Sequence, residues 1–157
     1  GSEAVLKYTL PEPYGTAPMS EERRQMILQN IRQNVTDLAD EHPETVFYLF
    51  FSPYSICYWD MQHNAGAIDM QIDSTEIVIG ELLLHPNIQL YSFFTNFELI
   101  CDLNNYHDPR HYGEWINSWI LEQMYNGNYL LTEDNYLEHL AAMREFYTSY
   151  DYASLHR

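Results

Sequence analysis

The sequence predicts an α/β fold, a three-layer sandwich in which a short parallel sheet is flanked by helices. Three observations predict it. An amphipathic stripe with helical spacing precedes a β-prone run at 45–51, and the same order recurs before a second run at 88–94. Each helix stops at a His-Pro pair (His42-Pro43, His85-Pro86), and each strand ends in Phe-Phe (Phe50-Phe51, Phe93-Phe94). Two consecutive helix–strand units place their strands side by side and parallel, joined by a right-handed crossover. The chain has 157 residues, 46% of them hydrophobic. That is enough for one compact domain with its own core.

Taken in order, residues 1–18 read as a cloning scar (Gly1-Ser2) followed by an extended lead-in rich in proline, and 19–150 as the domain. Ser20 is placed to cap a helix whose first turn holds Glu21 and Glu22, where carboxylates suit the dipole. Met26, Ile27, Ile31, Val35 and Leu38 form its apolar stripe. The run 45–51 is continuously β-prone, as expected of a strand covered on both faces. Ser52 to Gln71 starts as a loop and turns helical later. Asp73-Ser74-Thr75-Glu76 resembles a capping box opening a helix over 77–84. After the second strand, Asp108 reads as the N-cap and Pro109 as the first residue of a helix. Tyr112, Trp115, Ile116, Trp119, Ile120 and Met124 make the apolar face of that helix, and Asn126-Gly127-Asn128 ends it. Thr132 caps a last helix that buries Leu137, Leu140, Ala141 and Tyr147, and the tail 151–157 is expected to fray. Two strands are few for a sheet. Either a strand hides in 3–17 or the domain is incomplete at its N-terminus.

Composition narrows the function. Seven Lys+Arg against 23 Asp+Glu give a net charge of −16. That balance opposes phosphate backbones and anionic lipid surfaces, so no nucleic-acid partner is expected. No apolar run is long enough for a membrane span, so no direct insertion by this chain is expected. Cys57 and Cys101 lack the spacing of a zinc site or a disulfide scaffold and read as buried thiols. The chain is rich in aromatics, with 14 Tyr, 7 Phe and 3 Trp, which suit either an ordinary half-buried surface or a groove for a glycan.

The chemistry-bearing stretch is Asn105 to Gly113. His111, three residues after Asp108, is in reach of its carboxylate. An Asp–imidazole hydrogen bond fixes the ring tautomer and supports the charge of a working general base. Ligands of parallel sheets bind beyond the carboxyl ends of the strands. The candidate substrate edge is therefore Ser52, Tyr54 and Ser55 after the first strand and Asn96 after the second, with Trp115 one turn from His111. His107 and His111 are four apart, but Pro109 separates them at the helix start, so no metal is expected there. No cofactor is expected.

Asp108-x-x-His111-Tyr112-Gly113, followed by Ile116-Asn117, resembles the C-terminal motif of SGNH/GDSL-type hydrolases. The upstream helix, Phe50 to Ser55 and the second α/β unit look like the later half of such a domain, over residues 19–125. They most resemble a bacterial cell-surface branch related to alginate acetyltransferases and the teichoic-acid D-alanylation protein. The resemblance implies an SGNH/flavodoxin-like sandwich with His111 as general base and Asp108 as its orienting carboxylate. It implies an acylated polysaccharide or cell-wall glycopolymer as substrate, outside the cytoplasmic membrane. The family's nucleophile motif has no counterpart here, so a preceding part of a longer protein is expected to supply the Ser, the oxyanion donors, the first strand and a membrane anchor. The chain by itself is then inactive, and its open sheet edge invites self-association. The other expectation is a non-catalytic module that binds glycan or protein through its aromatics.

Overall fold

The computed structural model describes residues 2–15 and 17–157. Gly1 of the expected scar and Thr16 of the lead-in lie outside the described residues. The fold is α/β, with a two-stranded parallel sheet flanked by helices. β1 (Phe47–Phe51) pairs in register with β2 (Ile88–Ser92), Phe47 opposite Ile88 and Phe51 opposite Ser92. Before β1 come α1 (Ser2–Val5), α2 (Glu21–Ile31), a π-helical turn Arg32–Thr36 and α3 (Asp37–Glu41). The crossover holds α4 (Ile56–Asn64) and α5 (Ile68–Leu82). After β2 come α6 (Phe97–Cys101), α7 (Glu114–Tyr125) and α8 (Tyr136–Ser149), then a 3-10 turn Tyr152–His156.

One sheet face carries Phe47, Leu49 and Phe51 beside Ile88 and Leu90, which join the main core with α5 and α8. At its centre Trp59 of α4 stacks on Tyr147 of α8, centroids 3.7 Å apart, and the Tyr147 hydroxyl donates to the Phe94 carbonyl. The opposite face is covered only on the β2 side. There Tyr91 and Phe93 pack on Ile116, Ile120 and Met124 of α7. β1 therefore alternates half-buried and exposed residues, with Tyr48 57% exposed. The expectation of a strand covered on both faces is corrected: α7 packs on Tyr91 and Phe93 and on no residue of β1. The outer edge of β2 is met by the antiparallel stretch around Leu130, with Ser92 donating to Tyr129 and Leu131 to Leu90. No strand pairs with the outer edge of β1 among the described residues.

Several boundaries differ from the sequence reading. α5 begins at Ile68, so Asp73 to Glu76 are mid-helix and not a capping box. The Ser74 and Thr75 hydroxyls donate back to the carbonyls of Met70 and Gln71, and Asp73 pairs with Arg144 of α8. The buried positions Ile68, Ile72, Thr75, Ile79 and Leu82 keep the helical period throughout. α8 starts after Asn135, whose side chain accepts from the Thr132 amide, and it buries Leu140, Met143 and Tyr147 while Leu137 and Ala141 face solvent. The stripe on α2 is only half-covered: Ile31 and Val35 touch the core, whereas Met26 and Leu38 are exposed. Trp115 is likewise exposed, and the buried face of α7 is Ile116, Ile120 and Met124.

Both ends of the chain are docked. Among the described residues, 3–15 and 17 hold no strand, and Val5 packs against Cys57 and Tyr106. Tyr8 donates to Asp60, a carboxylate buried on α4. His156 bonds the same Oδ2 oxygen through Nε2 at 2.7 Å. The expectation of a frayed tail is corrected, because Tyr152 is buried and donates to the Tyr147 carbonyl. Burial, with Asp60 next in strength, pushes the Tyr8 hydroxyl well above its ordinary range. One carboxylate thus ties both termini to one helix. Asp60→Ala should cost about 1–2 kcal/mol, since the half-buried Tyr8 hydroxyl and the exposed His156 ring lose their charged acceptor. Urea unfolding measures that cost, and limited proteolysis should cut near both ends first. Unchanged stability would mean that the two ends are held by apolar packing alone.

Candidate functional site

Asp108 and His111 do meet, although no helix starts at Pro109. α7 begins at Glu114, after a Gly113 cap. Residues 106–112 form a tight loop closed by an antiparallel bridge between Tyr106 and Tyr112. The His107 amide donates to the His111 carbonyl at 2.7 Å, and the Gly113 amide to the Asn105 carbonyl at 2.8 Å. These bonds occupy the groups a helix would need. Asp108 still acts as a local cap: its Oδ1 accepts from the Arg110 amide at 2.8 Å and the His111 amide at 3.0 Å. Its Oδ2 lies 2.7 Å from His111 Nδ1. A Cβ at Gly113 would meet the outer ring atoms of the half-exposed Trp115, so a larger residue there must displace that ring.

The loop is stitched to the segment after β1. Ser55 donates through both its amide and its hydroxyl to the Pro109 carbonyl, at 3.1 and 2.8 Å. Tyr106 donates its hydroxyl to the Pro53 carbonyl at 2.7 Å. The loop therefore sits over the carboxyl end of β1. Partial burial works to raise the Asp108 carboxyl, but the Arg110 amide, the imidazole and the His111 amide together bring it below the ordinary aspartate value. The imidazole side chain is 77% exposed. It lines an open depression of about 400 Å3 with Ser52, Tyr54, Arg110, Tyr112 and Asn117.

The expected substrate edge divides into parts. Ser52 and Tyr54 share the His111 depression. Ser55 is fully buried and serves as the loop's tether, so it is removed from the edge. Asn96 caps α6 through Oδ1 and donates to the Tyr129 hydroxyl. It lies with Trp115 in a separate depression beside Trp119 and Asp102. Arg110, Tyr112 and Asn117 were not on the expected edge. Tyr112 and Asn117 belong to the Asp-x-x-His-Tyr-Gly and Ile-Asn motif, whereas the only sequence signal of Arg110 is its place beside His111.

Comparison with known proteins yields no match: no protein-family model, curated protein or solved structure matches the chain.

A second imidazole is differently placed. His139 of α8 lines a depression at the end of β2 with Ser92 and Thr95. Its Nδ1 lies 3.3 Å from the Thr95 hydroxyl, and its Nε2 is buried without a partner. Burial lowers its pKa to about 4. Below the ordinary imidazole range and down to about that value, the unfolded chain takes up a proton that the folded chain refuses, so stability falls as pH falls through this window. Between roughly pH 7 and pH 5, His139→Asn should lose about 2 kcal/mol less stability than the wild type, as read from urea midpoints. Equal losses would mean that His139 takes up its proton freely in the fold.

The Asp108 carboxylate holds the proton of neutral His111 on Nδ1 and leaves the Nε2 lone pair free. Long-range proton–nitrogen NMR at neutral pH should show that tautomer in the wild type and a mixture in Asp108→Ala. The same spectrum from both proteins would mean that the carboxylate does not control the ring.

Proposed function

We propose that this chain supplies the acid–base dyad of an SGNH-type serine esterase or acyltransferase that acts on acylated cell-surface glycans. A serine from a preceding part of the parent attacks the acyl carbonyl and forms an acyl-enzyme. His111 Nε2 takes the serine proton and gives it to the leaving alcohol, then deprotonates the water or acceptor hydroxyl that releases the acyl group. Asp108 holds the ring and stabilises the imidazolium. The observation that carries this reading is the 2.7 Å Asp108–His111 contact on an imidazole that opens into a depression at the carboxyl end of β1. An exposed carboxylate–imidazole pair adds little to stability, so its tethered geometry is better explained by chemistry than by folding. The substrate class and a site of action outside the cytoplasmic membrane, through an anchor in the parent, come from the family resemblance.

The test is made on the native protein. His111→Ala in the full-length parent should lower ester turnover by about a thousandfold while the fold persists, because the ring is exposed. Turnover unchanged by the substitution would rule the assignment out. A fluorophosphonate probe in cells should label a species larger than the 18.7 kDa of this chain.

One observation favours a second reading, a non-catalytic binding module. The uncovered sheet face and the outer side of α7 expose Tyr48, Phe50, Trp115, Leu121 and Tyr125. Such a surface fits a glycan or a protein, and the open β1 edge beside it fits a second copy of the chain. Unlabelled native protein of this chain's size that binds glycan through Trp115 would favour the module.

A further inference from the structure

We propose that Arg110 is the anion anchor of the His111 depression, so that the ligand held there carries a carboxylate or a phosphate beside the group His111 acts on. The proposal takes its location from the acid–base reading above but does not depend on the reaction. It begins with scarcity: the chain has 7 Lys+Arg for 23 Asp+Glu. Three of the six guanidiniums find an internal carboxylate. Arg32 pairs with Glu81, Arg144 with Asp69 and Asp73, and Arg157 with Asp151. Arg23, Arg24 and Arg110 have no carboxylate partner among the described residues, and of these Arg110 is the one set over an aromatic ring, with its own amide bonded to Asp108. The Asp108 oxygens are already taken by two amides and the imidazole.

The Arg110 guanidinium is nevertheless placed. Its central carbon lies 5.6 Å from the centre of the Tyr58 ring, and Tyr58 is itself buried and packed on Tyr54. An aromatic platform orients the planar fork and leaves its N–H edge free for a bidentate acceptor. Arg110 lines the same depression as Ser52, His111 and Asn117. The site therefore offers one fixed cation, a titratable ring and two neutral polar groups. A neutral ligand would leave the guanidinium unused, and a cationic one would be repelled. An oxyanion meets it with charge-assisted hydrogen bonds. The carboxylate of a uronic acid and the phosphate of a sugar phosphate satisfy this chemistry equally, and the experiment separates them.

The probes are D-glucuronate, glucose 6-phosphate and neutral glucose, titrated into the 157-residue chain and followed by NMR at His111, Tyr112 and Asn117. At least one anionic sugar should shift these resonances saturably, while glucose leaves them in place. The anionic sugar that binds identifies the carboxylate or the phosphate. Arg110→Gln should weaken that binding by about tenfold or more, and Arg110→Lys, which keeps the charge but loses the fork, should fall between. Arg110 is exposed, so an unchanged circular dichroism spectrum is expected for both variants. Binding of glucose as strong as that of the anions, no shift with either anion, or undiminished binding by Arg110→Gln would each overturn the proposal. If the reaction reading alone is wrong, His111→Ala in the parent keeps its turnover while the anion still binds through Arg110.

Discussion

Parallel pairing of β1 with β2 is the constraint on which the rest of the structure depends. A parallel pair cannot be closed by a tight turn, so the chain must leave the sheet, cross it and return. The crossover is α4 and α5, and α5 supplies the surface against which α2, α8 and the inner sheet face pack. Because the strands are parallel, their carboxyl ends lie at one edge. The loops that follow them, 52–55 and 93–96, emerge together, and the Asn105–Gly113 loop folds back over the first. The site exists at that edge because the topology leaves the backbone there unpaired and open to neighbours.

The sheet is too small to carry the fold alone. Five residues per strand bury little area, and half of β1 faces outward. Aromatic packing makes up the difference. Trp59, Tyr147 and Phe94 form the central stack, extended by Phe97 on Phe146. Tyrosine suits this role because each buried ring brings a hydroxyl that satisfies a carbonyl no ladder reaches, as Tyr106 does for Pro53, Tyr147 for Phe94 and Tyr152 for Tyr147. The tyrosine-rich composition is therefore largely a structural device. The exposed remainder lies on the uncovered sheet face and on the outer side of α7.

Electrostatics divide the molecule by function. The strongly acidic chain uses two of its six arginines to join elements, Arg32 from the turn after α2 to α5 and Arg144 from α8 to α5. Asp60 joins both termini to α4 through the Tyr8 hydroxyl and the His156 imidazole. At the His111 loop the pattern changes: the carboxylate pairs with an imidazole instead of an arginine, and the arginine rests on a tyrosine ring. A histidine partner keeps a proton that can be exchanged near neutrality, which an arginine partner would not.

Sequence alone determined the two helix–strand units, their parallel pairing, the Gly127 stop of α7 and the Asp108–His111 contact, because each rests on local spacing or short-range stereochemistry. It missed the start of α5, since Ser74 and Thr75 satisfy a cap pattern and a back-bonded helix interior equally well until the partner of Asp73 on α8 is known. It placed a helix at Pro109, since Asp-Pro opens helices, whereas bonds from Ser55 and Tyr106 across more than fifty residues hold that stretch as a loop. Which strand face is covered, how the two ends dock on Asp60, and which side chains share the depression with His111 were decided only by tertiary structure. These depend on pairs of groups far apart in the chain, whose energies no local pattern encodes.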